Sequence, residues 1–231
     1  MNELLLNKID SLKKTKIYKK FKNNPYLFYL IVFTICILQY FFKITGLIVS
    51  GLALLLFGLL YYTDNYTHEA MIKMFLITIT SFLFFCVYTL KTKININILL
   101  TVLLAMNVFV MTFCVIYNPF YDSEINNLFL AFLVLITFIV TPFINVSYNK
   151  ANLSKIFFSP NIYIILYTIS FVLYFLYLKN HYLNHHTFNN IFALIIPFLM
   201  HFYSNRWLEY RTLLLSLFVI FDVFDIPNYG L

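Results

Sequence analysis

Charged residues are scarce in this 231-residue chain, at 11% of the sequence against about a quarter in an average soluble domain. Hydrophobic residues make up 62%, so too few polar residues remain to cover a separate water-soluble domain. Glycine is also rare, with four residues against 28 Phe and 19 Tyr. Helices that slide past one another usually carry small residues where their backbones approach. The composition therefore favours one helical bundle with bulky, static contacts.

The chain also lacks the motifs of the common enzyme classes. It has no Walker loop, no G-x-S-x-G elbow, no C-x-x-C and no H-E-x-x-H. Its three cysteines show no paired spacing, which argues against a disulfide framework or a metal knuckle. We therefore expect no metal, no cofactor, no nucleic-acid partner and no catalytic activity of its own.

Long apolar runs fill the chain after Pro25. A helix needs about 20 apolar residues to cross a hydrocarbon core, and the runs approach that length. They predict helices over 26–42, 44–62, 71–90, 96–118, 126–148, 161–178, 189–204 and 206–226. The sequence therefore predicts an all-α fold, a polytopic transmembrane bundle of seven or eight helices over residues 24–231.

The first 23 residues differ from the rest because they hold seven lysines. They contain no apolar segment with a cleavage site, so they are not a secretory signal. A basic amphipathic helix that lies on a membrane surface is the better interpretation. On it, Lys13, Lys16 and Lys20 would contact anionic lipid headgroups.

Basic residues cluster in the breaks near positions 92, 152 and 208, which the positive-inside rule assigns to the inner side of a membrane. The lysine-rich N-terminus also favours the inside. Seven crossings satisfy both if residues 26–62 make one crossing plus an interfacial or re-entrant piece. This predicts an N-terminus inside and a C-terminus outside. The alternatives are an N-terminus outside despite its charge, or later loops with the inverse orientation.

A group of ionisable residues stands at the start of the last apolar run. Arg206, Glu209 and Arg211 surround Trp207, the sole tryptophan. An interfacial anchor or a subunit contact is the first interpretation, with the Trp ring at headgroup depth. A proton or ion path is the second, since ionisable residues inside a membrane are usually functional. Candidate members of such a path are also His201 and Asp222. The first interpretation of His201 is an interhelical hydrogen bond, and that of Asp222 is an interface residue.

Small residues and prolines predict where helices approach or bend. Gly46, Ser50 and Ala53 form a stripe on the second run, which predicts a close helix contact. Pro142 and Pro197 should kink their helices because proline removes a backbone hydrogen bond.

The segment His181-Tyr-Leu-Asn-His185-His186 resembles the histidine boxes of membrane desaturases and fatty-acid elongases. That resemblance implies a lipid-modifying enzyme with an iron site. The chain has five histidines in all, fewer than the ligands that a di-iron site requires, so a solvated loop is the first interpretation of this segment.

The excess of Phe, Tyr, Ile, Asn and Lys follows the codons of an AT-rich genome. In composition and size the chain resembles the hydrophobic membrane subunits encoded in AT-rich protist mitochondrial genomes, many of which belong to respiratory-chain complexes. The resemblance implies an inner-membrane location. We therefore predict a non-catalytic integral membrane subunit of a larger, energy-transducing complex, with other membrane subunits and anionic lipids as partners. The alternatives are a small ion or proton transporter or channel and a lipid-modifying enzyme.

Overall fold

The computed structural model describes residues 11, 14–15, 25–60, 68–116, 124–148, 150–156, 158–182 and 187–223. Within these ranges the chain forms eight helices and one antiparallel pair of strands. In chain order the elements are α1 (Pro25–Phe41), α2 (Ile44–Leu60), α3 (His68–Leu90), α4 (Asn97–Ile116), α5 (Glu124–Ile139), β1 (Phe143–Ser147), β2 (Lys150–Ser154), α6 (Pro160–Tyr182), α7 (Thr187–Ser204) and α8 (Trp207–Val223). The mostly helical character predicted from the apolar runs is thus confirmed for these residues.

The transmembrane part of the prediction is wrong. Across the described ranges, no helix has both the length and the apolar character that a bilayer crossing demands. Helices α1, α2 and α8 have 17 residues each, which is about 25 Å at 1.5 Å per residue, whereas a hydrocarbon core is about 30 Å thick. Helices α3 and α6 have 23 residues, but polar residues occupy one end of each. The predicted integral membrane location and the predicted orientation across a membrane are therefore wrong as well.

The chain divides into two compact units. Unit 1 comprises residues 1–90 and 212–231, and unit 2 comprises residues 91–211. In unit 1, α2 packs along α3. The core of this unit contains Ala53, Leu56, Phe57, Met74, Ile77, Leu215 and Val219.

The small-residue stripe on α2 forms the predicted close contact. A Cβ atom added to Gly46 would overlap the ring of Phe85 on α3. Ser50 and Ala53, at the next positions of the stripe, are fully buried. The absence of bulk at these positions allows the two helices to approach, and the prediction is confirmed.

In unit 2, α4 packs on α5, α5 on α6, and α6 on α7. The prediction of one helix over 126–148 is wrong, because α5 ends at Ile139 and a β-hairpin follows. Proline has no backbone N–H to donate to a helix hydrogen bond, and it disfavours helical geometry in the preceding residue. Pro142 therefore ends the helix rather than kinking it. Pro197, by contrast, lies inside α7.

The hairpin pairs Phe143 with Ser154 at one end and Ser147 with Lys150 at the other. Side chains of β1 alternate between exposed and buried, as a strand with one covered face requires. Helix α4 covers the backbone edge of β1: the amide of Val146 donates to Asn97 Oδ1 at 2.7 Å, and the amide of Ile144 donates to Thr101 Oγ1 at 3.0 Å. These bonds satisfy edge groups that would otherwise be open to another strand.

Candidate functional site

A cleft of about 470 Å³ opens in unit 2. Strand β2, the first turn of α6, the end of α7 and the start of α8 form its walls. Its polar lining residues are Asn152, Ser154, Asn161, His201 and Asn205. Its apolar lining residues are Ala151, Leu153, Pro160, Trp207 and Leu208. We call it the His201 cleft.

His201 is the buried polar group of this cleft, with 8% of its surface exposed. Its Nε2 lies 2.8 Å from Asn161 Oδ1. Since a carbonyl oxygen accepts, Nε2 carries the proton and donates, which leaves Nδ1 as an acceptor in the neutral ring. Burial lowers the pKa of His201 below its ordinary value, because removal from water disfavours the charged imidazolium. The ring is therefore neutral at pH 7.

The turn after α7 positions the cleft's rim. Asn205 has a φ of 57°, the left-handed conformation that Gly or Asn commonly adopts just after a helix. Its amide donates to the carbonyl of His201 at 2.8 Å, and the amide of Arg206 donates to the carbonyl of Met200 at 3.2 Å. These bonds cap the last carbonyls of α7 and hold the chain as it enters α8.

Arg206 and Glu209 form a bidentate ion pair at the start of α8. Arg206 Nε donates to Glu209 Oε2 at 2.8 Å, and a terminal nitrogen of Arg206 donates to Oε1 at 2.5 Å. The Glu209 side chain is 1% exposed and that of Arg206 is 17% exposed. A carboxylate in the first turn of a helix is also stabilised by the partial positive charge of the helix N-terminus.

Arg211 is separate from that ion pair in its contacts. Its Nε donates to the hydroxyl of Tyr167 at 3.2 Å, and its guanidinium lies 5.7 Å from the Tyr167 ring and 5.8 Å from the Phe171 ring. The residue is 6% exposed. In the part of the chain that the structure describes, Arg211 contacts two aromatic faces and one hydroxyl group, and it contacts no carboxylate. The aromatic contacts are a cation–π arrangement.

Trp207 is buried, with 2% exposure. Its ring meets those of Tyr163 and Tyr167 edge to face, at centroid distances of 6.1 and 5.2 Å. The predicted headgroup-depth position is therefore wrong for this ring, because the neighbouring tyrosines of α6 supply an aromatic core.

Tyr163 is fully buried beside Trp207. Burial raises the pKa of its hydroxyl well above the ordinary value; Tyr167 raises it further, while Thr141 and Arg211 act in the opposite direction. The Thr141 hydroxyl donates to the carbonyl of Thr137. The Thr141 side chain is close enough to lower the pKa of the Tyr163 hydroxyl, but neither it nor any other described group meets hydrogen-bond geometry with that hydroxyl.

The side chains of several candidate residues lie outside the part of the chain that the structure describes. The side chain of Asp222, in the last turn of α8, lies outside the described residues, as do those of Lys13, Lys16 and Lys20 and those of His181, His185 and His186. Their predicted roles stay predictions. Among the side chains that the structure describes, no three His, Cys, Asp or Glu residues are close enough to share a metal ion.

No motif in the sequence marks the amides of the cleft. Ser159-Pro160 does mark a helix start, and Asn161 follows directly in that first turn. Its partner His201 is 40 residues away, so no local pattern connects the two. The arrangement offers amide, hydroxyl and neutral imidazole groups beside apolar walls, which are groups that bind a ligand by hydrogen bonds.

No family model, curated protein or solved structure matches this chain. No relative therefore supports a mitochondrial or respiratory-chain role. With no membrane-crossing helix in the described ranges either, the predicted mitochondrial inner membrane location is withdrawn.

Proposed function

We propose that this chain is a non-catalytic subunit of a larger protein assembly and that its exposed apolar helix faces contact the other subunits. The observation that carries the proposal is the regular exposure of large apolar side chains on both units. Folded proteins that act alone rarely expose contiguous apolar patches larger than a few hundred Å². Larger patches usually mark surfaces that another molecule covers.

On α5 four of the exposed apolar residues form a stripe, Leu128, Phe132, Leu135 and Ile139. Their spacing of four, three and four residues places them on one helix face. The opposite face is used inside unit 2, where Val134 and Thr137 are fully buried. We call these four exposed residues the α5 stripe.

Unit 1 carries similar surfaces. On α2 the exposed apolar residues include Ile48, Leu52 and Leu55, and on α1 they include Leu30, Phe33, Ile37 and Phe41. Each set recurs at three- and four-residue intervals, which is the pattern of a helix that packs against another helix. Leu55 is 73% exposed and Phe41 is 70% exposed, so water would cover these side chains if no partner did.

The matched test is site-specific photo-crosslinking in the organism that makes the protein. A photoreactive phenylalanine replaces Phe132 on the α5 stripe or Leu55 on α2, and in the control it replaces Lys155, an exposed polar position at the end of the hairpin. We expect discrete crosslinked species from the first two positions and none from Lys155. Mass spectrometry then identifies the crosslinked subunits.

Native electrophoresis in mild detergent gives the second readout. We expect the chain to migrate in a complex well above its own mass of 27.5 kDa. A Phe132→Asp variant should weaken that complex, whereas Lys155→Asp should leave it intact. Migration of the chain alone, with no discrete crosslinks from Phe132 or Leu55, would refute the proposal.

A further inference from the structure

We propose that the His201 cleft binds a small, uncharged ligand that carries several neighbouring hydroxyl groups on a ring, as a sugar does. The cleft volume of about 470 Å³ falls within the range of small-molecule sites, about 300 to 1,000 Å³. All of its lining residues belong to unit 2. The proposal does not depend on the subunit contacts proposed above.

The charge of the cleft favours an uncharged ligand. Of the described residues that line it, none is Asp, Glu, Lys or Arg. Arg206, which adjoins the lining residues in sequence, is held in the bidentate pair with Glu209, so its charge is balanced within one turn. A charged ligand would lose hydration in the cleft without gaining an opposite charge.

The polar groups of the cleft fit hydroxyl groups. Asn152, Asn161 and Asn205 are exposed, and each amide presents a donor and an acceptor side by side. Two adjacent hydroxyls of a sugar also present a donor and an acceptor side by side. Asn161 Oδ1 is occupied by His201, which leaves the Asn161 NH₂ group to donate. The hydroxyl of Ser154 accepts from the side chain of Asn145 and retains its proton for donation.

The apolar walls complete the match. Leu153, Pro160 and Leu208 line the cleft beside the amides. A pyranose ring has C–H faces that pack on apolar side chains while its edge carries the hydroxyls. A site with mixed walls of this kind fixes the ligand's orientation through a few polar groups and removes its apolar surface from water.

The backbone that carries these polar groups is also ordered before any ligand arrives. The hairpin register places Asn152 opposite Asn145, the His201 hydrogen bond orients Asn161, and the helix cap fixes the backbone of Asn205. A backbone that is already ordered loses little conformational entropy on binding.

Trehalose and trehalose 6-phosphate are the probes for the test, because they differ by one charged group. Trp207 lines the cleft and is the sole tryptophan, so its fluorescence, excited selectively, reports on this site. Isothermal titration calorimetry on the full chain measures the same binding independently of the ring. We expect a saturable fluorescence change and binding heat with trehalose, and weaker binding of the phosphate.

Variants locate the binding. Asn161→Ala and Asn152→Ala should each weaken trehalose binding about tenfold, since one lost hydrogen bond is worth about that factor. Asn107→Ala, a change of the same type on α4 in unit 2, is the control and should bind as the natural chain does. Circular dichroism tests whether each variant is folded. Asn152 lies at an exposed hairpin position, so we expect Asn152→Ala to fold as the natural chain does.

Three results would overturn the proposal. The first is the lack of both binding heat and saturable fluorescence change up to the solubility limit of trehalose. The second is tighter binding of trehalose 6-phosphate than of trehalose, which would show a charged ligand. The third is equal binding by the Asn161→Ala, Asn152→Ala and Asn107→Ala variants, which would place the sugar elsewhere.

Discussion

The contact between α2 and α3 makes a sharp prediction at Gly46. In a Gly46→Ala variant the new methyl group would overlap the ring of Phe85. That ring is fully buried and stands edge to face against Phe84, with centroids 5.0 Å apart, so it has little room to move. Overfilling a packed core costs about 1 to 3 kcal/mol, and the fixed ring places this case at the upper end, about 3 kcal/mol.

Gly58 on the same helix supplies the control. A Cβ atom added there meets nothing within 4 Å, and one added at Gly51 meets the Phe82 ring at an ordinary 3.5 Å. Replacing glycine by alanine in a helix gains about 1 kcal/mol of helix propensity at any of these positions. The difference between Gly46→Ala and Gly58→Ala therefore isolates the steric cost.

Thermal unfolding followed by circular dichroism measures that difference in the full chain under one buffer condition. For a chain of this length 1 kcal/mol shifts Tm by about 2 to 4 °C. We therefore expect the Tm of Gly46→Ala to lie roughly 6 to 12 °C below that of Gly58→Ala, with Gly51→Ala close to Gly58→Ala.

A double-mutant cycle tests the cause. Phe85→Leu replaces the ring that the methyl group meets with a shorter side chain. Gly46→Ala should therefore lower the free energy of unfolding far less in the Phe85→Leu background than in the natural chain. Two results would refute the close approach of α2 and α3. The first is the same Tm for Gly46→Ala and Gly58→Ala, and the second is a double variant whose loss of stability equals the sum of the losses from Gly46→Ala and Phe85→Leu.

Three further predictions concern unit 2. Glu209→Gln should lower the free energy of unfolding by about 2 kcal/mol, which is less than for a wholly buried pair because Arg206 is partly exposed. Changing both Arg206 and Glu209 to Met should lower it by less. An equal loss in the two variants would contradict a stabilising ion pair between Arg206 and Glu209. Burial lowers the pKa of His201 in the folded protein, so the imidazole binds a proton more readily in the unfolded chain. Tm should therefore be level above about pH 7 and fall as the pH drops through about 6.5. The His201→Gln variant should show a smaller fall in Tm over this pH range. Tyr163→Phe removes a buried hydroxyl that lacks a hydrogen bond, so it should leave the free energy of unfolding unchanged or raise it by up to about 1 kcal/mol. Tyr167→Phe leaves buried Arg211 without its acceptor and should lower the free energy of unfolding by about 2 kcal/mol. If chemical denaturation showed Tyr163→Phe to be the less stable of the two variants, both assignments would be refuted.

The helical class and several helix ends follow from local sequence. Apolar runs with helical periodicity predicted the helices, and Pro160 marks the start of α6 as its missing amide proton allows. The small residues of the α2 stripe also predicted a close contact correctly. These features depend on neighbours within a few residues, which is why a single sequence reveals them.

The membrane prediction failed because it assigned membrane crossings to apolar runs that only approach the spanning length. The predicted run 26–42 already had the 17 residues that α1 has, and Pro142 stops α5 after 16 residues, where one helix over 126–148 was predicted. The β-hairpin was missed for a related reason. Its strands are short, and β1 is an edge whose amides are satisfied by side chains of α4, a partner that no pattern within the hairpin reveals.

By itself, the sequence determined that apolar helices would form, because that outcome depends on local side-chain periodicity. The tertiary structure alone decided which polar groups meet. His201 reaches Asn161 across 40 residues, and Arg211 reaches Tyr167 across 44 residues. Such pairs exist because packed helices bring distant turns together, and burial then makes an unpaired polar group costly.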